Sequence, residues 1–294
     1  MKLQGIFNPI ATPFQYDGAL YKAKVFHNVE KWNKTTLAGY VVCASTGESV
    51  MLTAEEKFEL WRWVAEAAAP EKLLLAGTGM ESVRETVWLT NKAAEMGYQA
   101  AMVRTPHYYR SLMYRDEAQL IYFRAVADQA KIPVVIYNCP QNTSIDISPE
   151  AVAMLSEHSN IIAINESSGS VDHVTRMIRT VRKGFQVLVG HVPTLFPCLE
   201  AGAAGAVLAF ANAAPYACIT IWEAFRTREH ESARDWQHRI SCADGMVTET
   251  YGIPGLKHAM DWTGYYGGPP RLPLTVICPQ ARQEIEKAFH GLRG

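Results

Sequence analysis

A short apolar run followed by a longer amphipathic run recurs roughly every 25 to 35 residues, the length of one strand–helix unit. Eight such units fill residues 5 to 228. The runs expected as strands are 5–11, 40–44, 73–76, 99–104, 133–136, 161–164, 185–189 and 205–209. They are nearly continuous in apolar residues, as parallel strands covered on both faces should be. Helix signals lie between them. Thr53-Ala54-Glu55-Glu56 has the form of an N-cap and an acidic first turn, Gly97 closes a helix that starts near Ser82, and Ser148-Pro149 opens another. Eight consecutive units predict an α/β fold of the closed (β/α)8 or TIM-barrel type. An open doubly wound sheet is the competing architecture, and no GxGxxG stretch supports it. Residues 1–228 are read as the barrel and 229–294 as a C-terminal helical extension. Breaks are expected at Gly252-Ile253-Pro254-Gly255 and at Gly267-Gly268-Pro269-Pro270.

Charge narrows the function. Lys plus Arg is 28 and Asp plus Glu is 29, a net charge of −1. So even a balance gives no electrostatic case for nucleic acid or an anionic membrane. No apolar run reaches the roughly 18 residues of a membrane span. The six cysteines are scattered, without metal-ligand spacing, and read as thiols in a reducing compartment. The N-terminus runs almost directly into the first strand-like segment and leaves no room for a targeting peptide. A soluble cytoplasmic protein is expected.

The chemistry-bearing residues follow the strands. Asn160 to Gly169 reads as a buried strand that turns polar at once, with Ile161, Ala163 and Asn165 on one face. In a closed barrel Asn165 then points inward at the C-terminal rim, where such barrels hold their chemistry. Ser45 and Thr46 follow the second strand, Tyr108 the fourth and Tyr137 the fifth. Ser45-Thr46-Gly47 offers two hydroxyls and a flexible backbone to an anion, and a small carboxylate is its natural guest. Either tyrosine could pass a proton. Taken singly, each has a plainer role: Ser-Thr-Gly as a turn, the tyrosines as packed rings with wet hydroxyls, Asn165 as turn chemistry, Glu166 as a solvated or loop-bonding carboxylate.

The chain resembles the dihydrodipicolinate synthase / N-acetylneuraminate lyase family, the pyruvate-dependent class I aldolases. The resemblance covers nearly the whole chain. It is carried by Pro9-Ile10-Ala11-Thr12-Pro13-Phe14, Ser45-Thr46-Gly47-Glu48, Thr105-Pro106-His107-Tyr108-Tyr109, Tyr137-Asn138-Cys139-Pro140, Asn160 to Gly169, and Gly202-Ala203-Ala204-Gly205. Leu74 to Ser82, Ala101 to Arg110 and Tyr251 to Pro269 look most like the 4-hydroxy-2-oxoglutarate aldolase branch. The resemblance implies pyruvate or another small 2-oxo acid as ligand, no cofactor, no metal, and a homo-oligomer (dimer or tetramer). It puts the carboxylate-binding hydroxyls on Ser45 and Thr46, the proton-transferring tyrosine on Tyr137, and a relay tyrosine, often lent by a neighbouring subunit, on Tyr108. Asn142 and Ser167 fall among the substrate-binding positions. Asn142 stands where the synthase branch carries an arginine, which favours the hydroxy-oxoglutarate branch over lysine biosynthesis.

The family's Schiff-base lysine falls on Asn165. The motif Ile-Lys-Glu-x-x-Gly reads Ile164-Asn165-Glu166-Ser167-Ser168-Gly169 here. An amide has no nucleophilic nitrogen to attack a 2-oxo carbon and no electron sink for C–C cleavage. The expected function is therefore a 2-oxo-acid-binding barrel with its Schiff-base lyase chemistry impaired or lost. The alternative is a working 2-oxo-acid lyase of the 4-hydroxy-2-oxoglutarate aldolase or dihydrodipicolinate synthase type, with Asn165 an introduced change or bypassed. Bypass through a metal enolate would have only Glu166 and His191 as nearby ligand candidates, and no His/carboxylate cluster is visible. No other lysine is expected at a strand end: Lys257 is placed in the C-terminal helices.

Overall fold

The computed structural model describes residues 1–292. Eight parallel strands close in sequence order: β1 Gly5–Pro9, β2 Gly39–Val42, β3 Leu73–Gly77, β4 Ala100–Arg104, β5 Val134–Asn138, β6 Ile161–Glu166, β7 Gln186–Val189 and β8 Gly205–Val207. The helices are α1 Lys22–Asn33, α2 Ala54–Ala67, α3 Val83–Glu95, α4 Arg110–Met113, α5 Asp116–Gln129, α6 Pro140–Thr143, α7 Pro149–Ser156, α8 Val171–Thr180, α9 Leu195–Ala201, α10 Pro215–Arg226, α11 His230–Gly245, α12 Gly252–Trp262 and α13 Pro279–Ala288. This is the expected (β/α)8 barrel followed by C-terminal helices. Among the described residues no helix is long and apolar enough to cross a membrane.

The strands stop where the backbone forces them to. β2 was expected to run to Ala44, but Cys43 takes a left-handed φ of 63° and ends it at Val42. β1 ends at Pro9, whose carbonyl accepts from Asn212 Nδ2 at 2.8 Å. β8 gives way after Val207 to a single 3₁₀ turn, Ala209–Asn212. Helix starts follow local capping chemistry. Thr53 and Glu56 form a complete capping box on α2, and Ser82, Ser148 and Ser170 cap α3, α7 and α8 through their hydroxyls.

Two compact units can be described separately. The first holds residues 1–4 and Leu73–Val207, with β3 to β8. Its strands are tightly buried, and register runs from Leu75↔Ala100 through Met102↔Val135 and Val135↔Ala163 to Leu188↔Gly205, with one shift between Val134 and Val135 where β5 meets β6. The second holds Gly5–Lys72 and the chain from Leu208 onward. Here Asn212 joins β1 to the turn after β8: its Oδ1 accepts from Ala11 N at 2.9 Å, and its own carbonyl accepts from Trp32 Nε1 at 3.3 Å. Phe210 packs against Phe289, the residue that closes α13, their ring centres 5.2 Å apart. The break expected at Gly252–Gly255 falls earlier. A π-helical turn, Met246–Thr250, separates α11 from α12, and Gly252 to Pro254 form the first turn of α12. Pro254 is tolerated there because the first turn has no partner for its missing N–H.

Candidate functional site

Arg104, Tyr137, Asn165 and Leu188 are register partners across β4, β5, β6 and β7 and form one row. The next row holds Asn138, Glu166 and Val189. Glu166 lies 3.6 Å from His173 Nδ1 on α8, so its side chain faces the helix layer. Side chains alternate along a strand, which turns Asn165 to the inner face. Asn165 is 2% exposed. Its Nδ2 donates to Ser167 Oγ at 3.4 Å, and its Oδ1 has no hydrogen-bond partner among the described residues. Gly190 leaves the room these groups use: a Cβ there would stand 1.8 Å from Ser167 Oγ and 3.1 Å from Asn165 Nδ2.

Behind this row lies a buried polar network. Asn138 Nδ2 donates to Glu166 Oε2 at 2.6 Å and to Asp146 Oδ1 at 2.7 Å. Ser168 N donates to Glu166 Oε1 at 2.6 Å. Burial pushes the Glu166 carboxyl up, but the His173 imidazole beside it and hydrogen bonds from Ser168 and Asn138 outweigh it and hold the group below its ordinary value. The Glu166 carboxylate raises His173 in turn, against the effect of burial. Glu166 is thus loop-bonding and buried rather than solvated. Asp146, Glu166 and His173 bring their ligand atoms within 4.8 Å of one another, a His/carboxylate cluster the sequence did not reveal. The Asn138 amide already binds one oxygen of each carboxylate, and Ser168 N binds the other Glu166 oxygen, which suits an internal ion pair better than a cation.

Tyr137 is half-buried, and its side chain hydrogen-bonds Cys139, whose thiol burial pushes up to about 12. Tyr108 is 78% exposed and packs edge-on against Tyr109. Its backbone N–H and that of His107 both donate to Glu81 Oε2 at 2.9 Å, and Arg104 pairs with the other oxygen of Glu81 at 2.9 Å. Tyr108 and Asn142 line the same open depression, with Tyr109, Arg110 and Thr143. Tyr137, Asn165 and Ser167 therefore gather on the barrel side, and Tyr108 with Asn142 on an outer one.

In the second unit, Ser45, Thr46 and Gly47 form one 3₁₀ turn directly after β2. Gly47 is required: a Cβ would stand 2.9 Å from the Ile10 carbonyl. Thr12 Oγ1 donates to the Gly47 carbonyl at 2.6 Å. Glu48 follows in a left-handed conformation, φ 55°, and is fully buried. Its Oε1 meets Lys257 Nζ at 2.7 Å, and its Oε2 accepts from Arg271 N at 2.8 Å. Lys257 Nζ also donates to the carbonyls of Thr12 at 2.8 Å and Pro269 at 2.9 Å, and sits 4.5 Å from the Phe14 ring centre. Lys257 does belong to a C-terminal helix, but its ammonium pairs with Glu48, the residue that follows the Ser45–Gly47 turn, which its position in the chain did not suggest. The available signal was a lysine among Leu256, Ala259 and Met260, all buried positions of α12.

Residues 2–291 match the model of the dihydrodipicolinate synthetase family. The chain belongs to that family. A 4-hydroxy-tetrahydrodipicolinate synthase of Methanothrix thermoacetophila is 38% identical over 96% of this chain and 94% of that enzyme. One from Archaeoglobus fulgidus is 32% identical over 98% of both chains. Among solved structures, dihydrodipicolinate synthase DapA-2 of Bacillus anthracis superposes with a TM-score of 0.93 at 28% identity over 99% of both chains. YagE of E. coli K12, a prophage protein of the family solved with pyruvate, superposes with a TM-score of 0.92 at 28% identity over 98% of both chains. Family membership and barrel agree with the resemblance drawn from the motifs. The synthase names of these relatives favour the lyase reading over loss of chemistry.

Proposed function

We propose that this family member binds a small 2-oxo acid such as pyruvate at the barrel mouth and forms no Schiff base with it. The observation that carries the reading is Asn165, buried on the inner face of β6 at the position the resemblance assigns to the lysine. Ser45 and Thr46 bind the carboxylate in this reading, and Tyr137 supplies a hydroxyl at the reacting carbon. The complex of YagE with pyruvate supports the ligand class. Lys257 does not replace the missing amine, because its buried ammonium is paired with Glu48 and donates to the carbonyls of Thr12 and Pro269. The Asn142 and branch likeness points to hydroxy-oxoglutarate rather than a lysine precursor as the ancestral substrate. Tyr108, exposed, is offered to a second copy in a homo-oligomer, which light scattering tests. The free cysteines fit a cytoplasmic location.

The second reading is a working lyase of the dihydrodipicolinate synthase type, favoured by the names of the relatives. Borohydride trapping separates the two. The protein and its Asn165→Lys variant are incubated with pyruvate and borohydride, and intact masses are taken. A reduced adduct on the variant alone supports the proposal. An adduct on the natural chain establishes the lyase reading, and peptide mapping then names the lysine.

A further inference from the structure

The inner face of β6 also bears on which small acid fits best. Asn165 Oδ1 is a buried acceptor without a donor, while Nδ2 of the same amide reaches Ser167 Oγ at 3.4 Å. Buried polar atoms left unmatched are rare and costly, so this oxygen favours a ligand that brings a hydrogen to it. A 2-oxo group brings only lone pairs. It can accept from a donor nearby but leaves Oδ1 as it was. A 2-hydroxyl donates to Oδ1 and still accepts. A 2-ammonium also donates, but a buried charge needs a counter-charge. The nearest carboxylate along the strand, Glu166, is turned to α8 and already bound by Asn138 and Ser168. We infer that the site prefers a small 2-hydroxy acid to the matching 2-oxo acid or 2-amino acid, with Asn165 Oδ1 accepting the hydroxyl proton. The inference rests on the small-acid reading proposed above and names its ligand class.

Gly190 preserves this arrangement. Its missing side chain keeps Ser167 Oγ and Asn165 Nδ2 where they are, and a Cβ would displace both. The amide thus keeps its nitrogen toward Ser167, and Oδ1 stays a buried acceptor for a ligand that enters beside it.

The test is calorimetric titration of the natural chain with L-lactate, D-lactate, pyruvate and L-alanine. One satisfied acceptor corresponds to about a tenfold preference, or about 1.4 kcal/mol. One enantiomer of lactate should bind about tenfold tighter than pyruvate, and L-alanine weakest. Asn165→Leu, similar in size and without hydrogen bonds, should bring lactate and pyruvate to equal affinity; Asn165→Ala serves if that variant does not fold. Pyruvate binding as tightly as lactate overturns the inference and leaves the small-acid reading standing. A lactate preference that survives the loss of Asn165 overturns it as well. Failure of every acid to bind overturns both.

Discussion

Lys257→Met should be among the most damaging single substitutions in the second unit. The change keeps an unbranched side chain of similar length, so little packing is lost. What it removes is the ammonium that faces Glu48 at 2.7 Å and the carbonyls of Thr12 and Pro269. Both charged side chains are 1% exposed, so water cannot replace the lost partner. Deleting one member of a buried ion pair costs about 3–5 kcal/mol, chiefly because the other charge stays behind unmatched. At about 2 °C per kcal/mol for a large chain, the melting temperature should fall by roughly 6–10 °C. Glu48→Gln should also destabilise, since Lys257 keeps its charge. The double variant should cost less than the two singles together, by about 1–3 kcal/mol. Urea unfolding followed by circular dichroism completes the cycle. Singles that each cost under about 1 kcal/mol and add without coupling would show that the pair carries no such role. Acid affinity supplies a second readout: Glu48 directly follows the Ser45–Gly47 turn, so Lys257→Met should weaken pyruvate binding, and Lys257→Arg should restore part of it.

Three further outcomes are expected. The Glu166–His173 pair has a depressed carboxyl and a raised imidazole. The carboxylate contributes stability above its ordinary value of 4.5 and loses it as pH falls through the depressed one, whereas the imidazolium contributes below 6.5 and loses it as pH rises through the raised one. His173→Gln should therefore cost more stability at pH 6 than at pH 9, and an equal cost at both would refute the pairing. Burial pushes the Asp244 carboxyl up to about 7, so the folded state disfavours its charge and stability is lost as pH rises from 3.8 toward 7. Asp244→Asn should accordingly raise the melting temperature at pH 8 and change little at pH 4; no gain at pH 8 would count against a costly buried charge. Gly190→Ala places a methyl 1.8 Å from Ser167 Oγ, and overpacking of this kind costs about 1–3 kcal/mol. Pyruvate or lactate affinity should drop with it, and unchanged binding would remove Gly190 from the site.

The strands were legible because burial on both faces leaves an apolar run that needs no partner to be recognised. Their ends were less so. Nothing in the composition of Tyr40 to Ala44 announces that Cys43 turns left-handed and stops β2. The inner position of Asn165 followed from alternation alone, and contact of its neighbour Glu166 with α8 agrees with it. The polar groups that fix the site were hidden for a physical reason: they lie far apart in the chain and meet only after closure. Glu48 sits in a quoted motif, yet its partners Lys257 and Arg271 come from the far end of the sequence. Asp146 lies in a loop and His173 on a helix, and no periodicity links either to Glu166. Family likeness supplied roles for Ser45, Thr46 and Tyr137. It offered none for the frame that holds them.

Asn165 and Glu166 are chain neighbours that answer to different surroundings, one turned toward the lumen and one clasped by Asn138 and Ser168. The barrel wall thus works as a socket with its wiring on the far side. The Glu166 clasp draws on Asn138 and Ser168 and not on residue 165, so a change at 165 leaves those contacts in place. A single codon separates a nucleophile from a hydrogen-bonding amide on the same scaffold. On the function proposed above, gain or loss of covalent chemistry would turn on the identity of residue 165, with the clasp at Glu166 left in place.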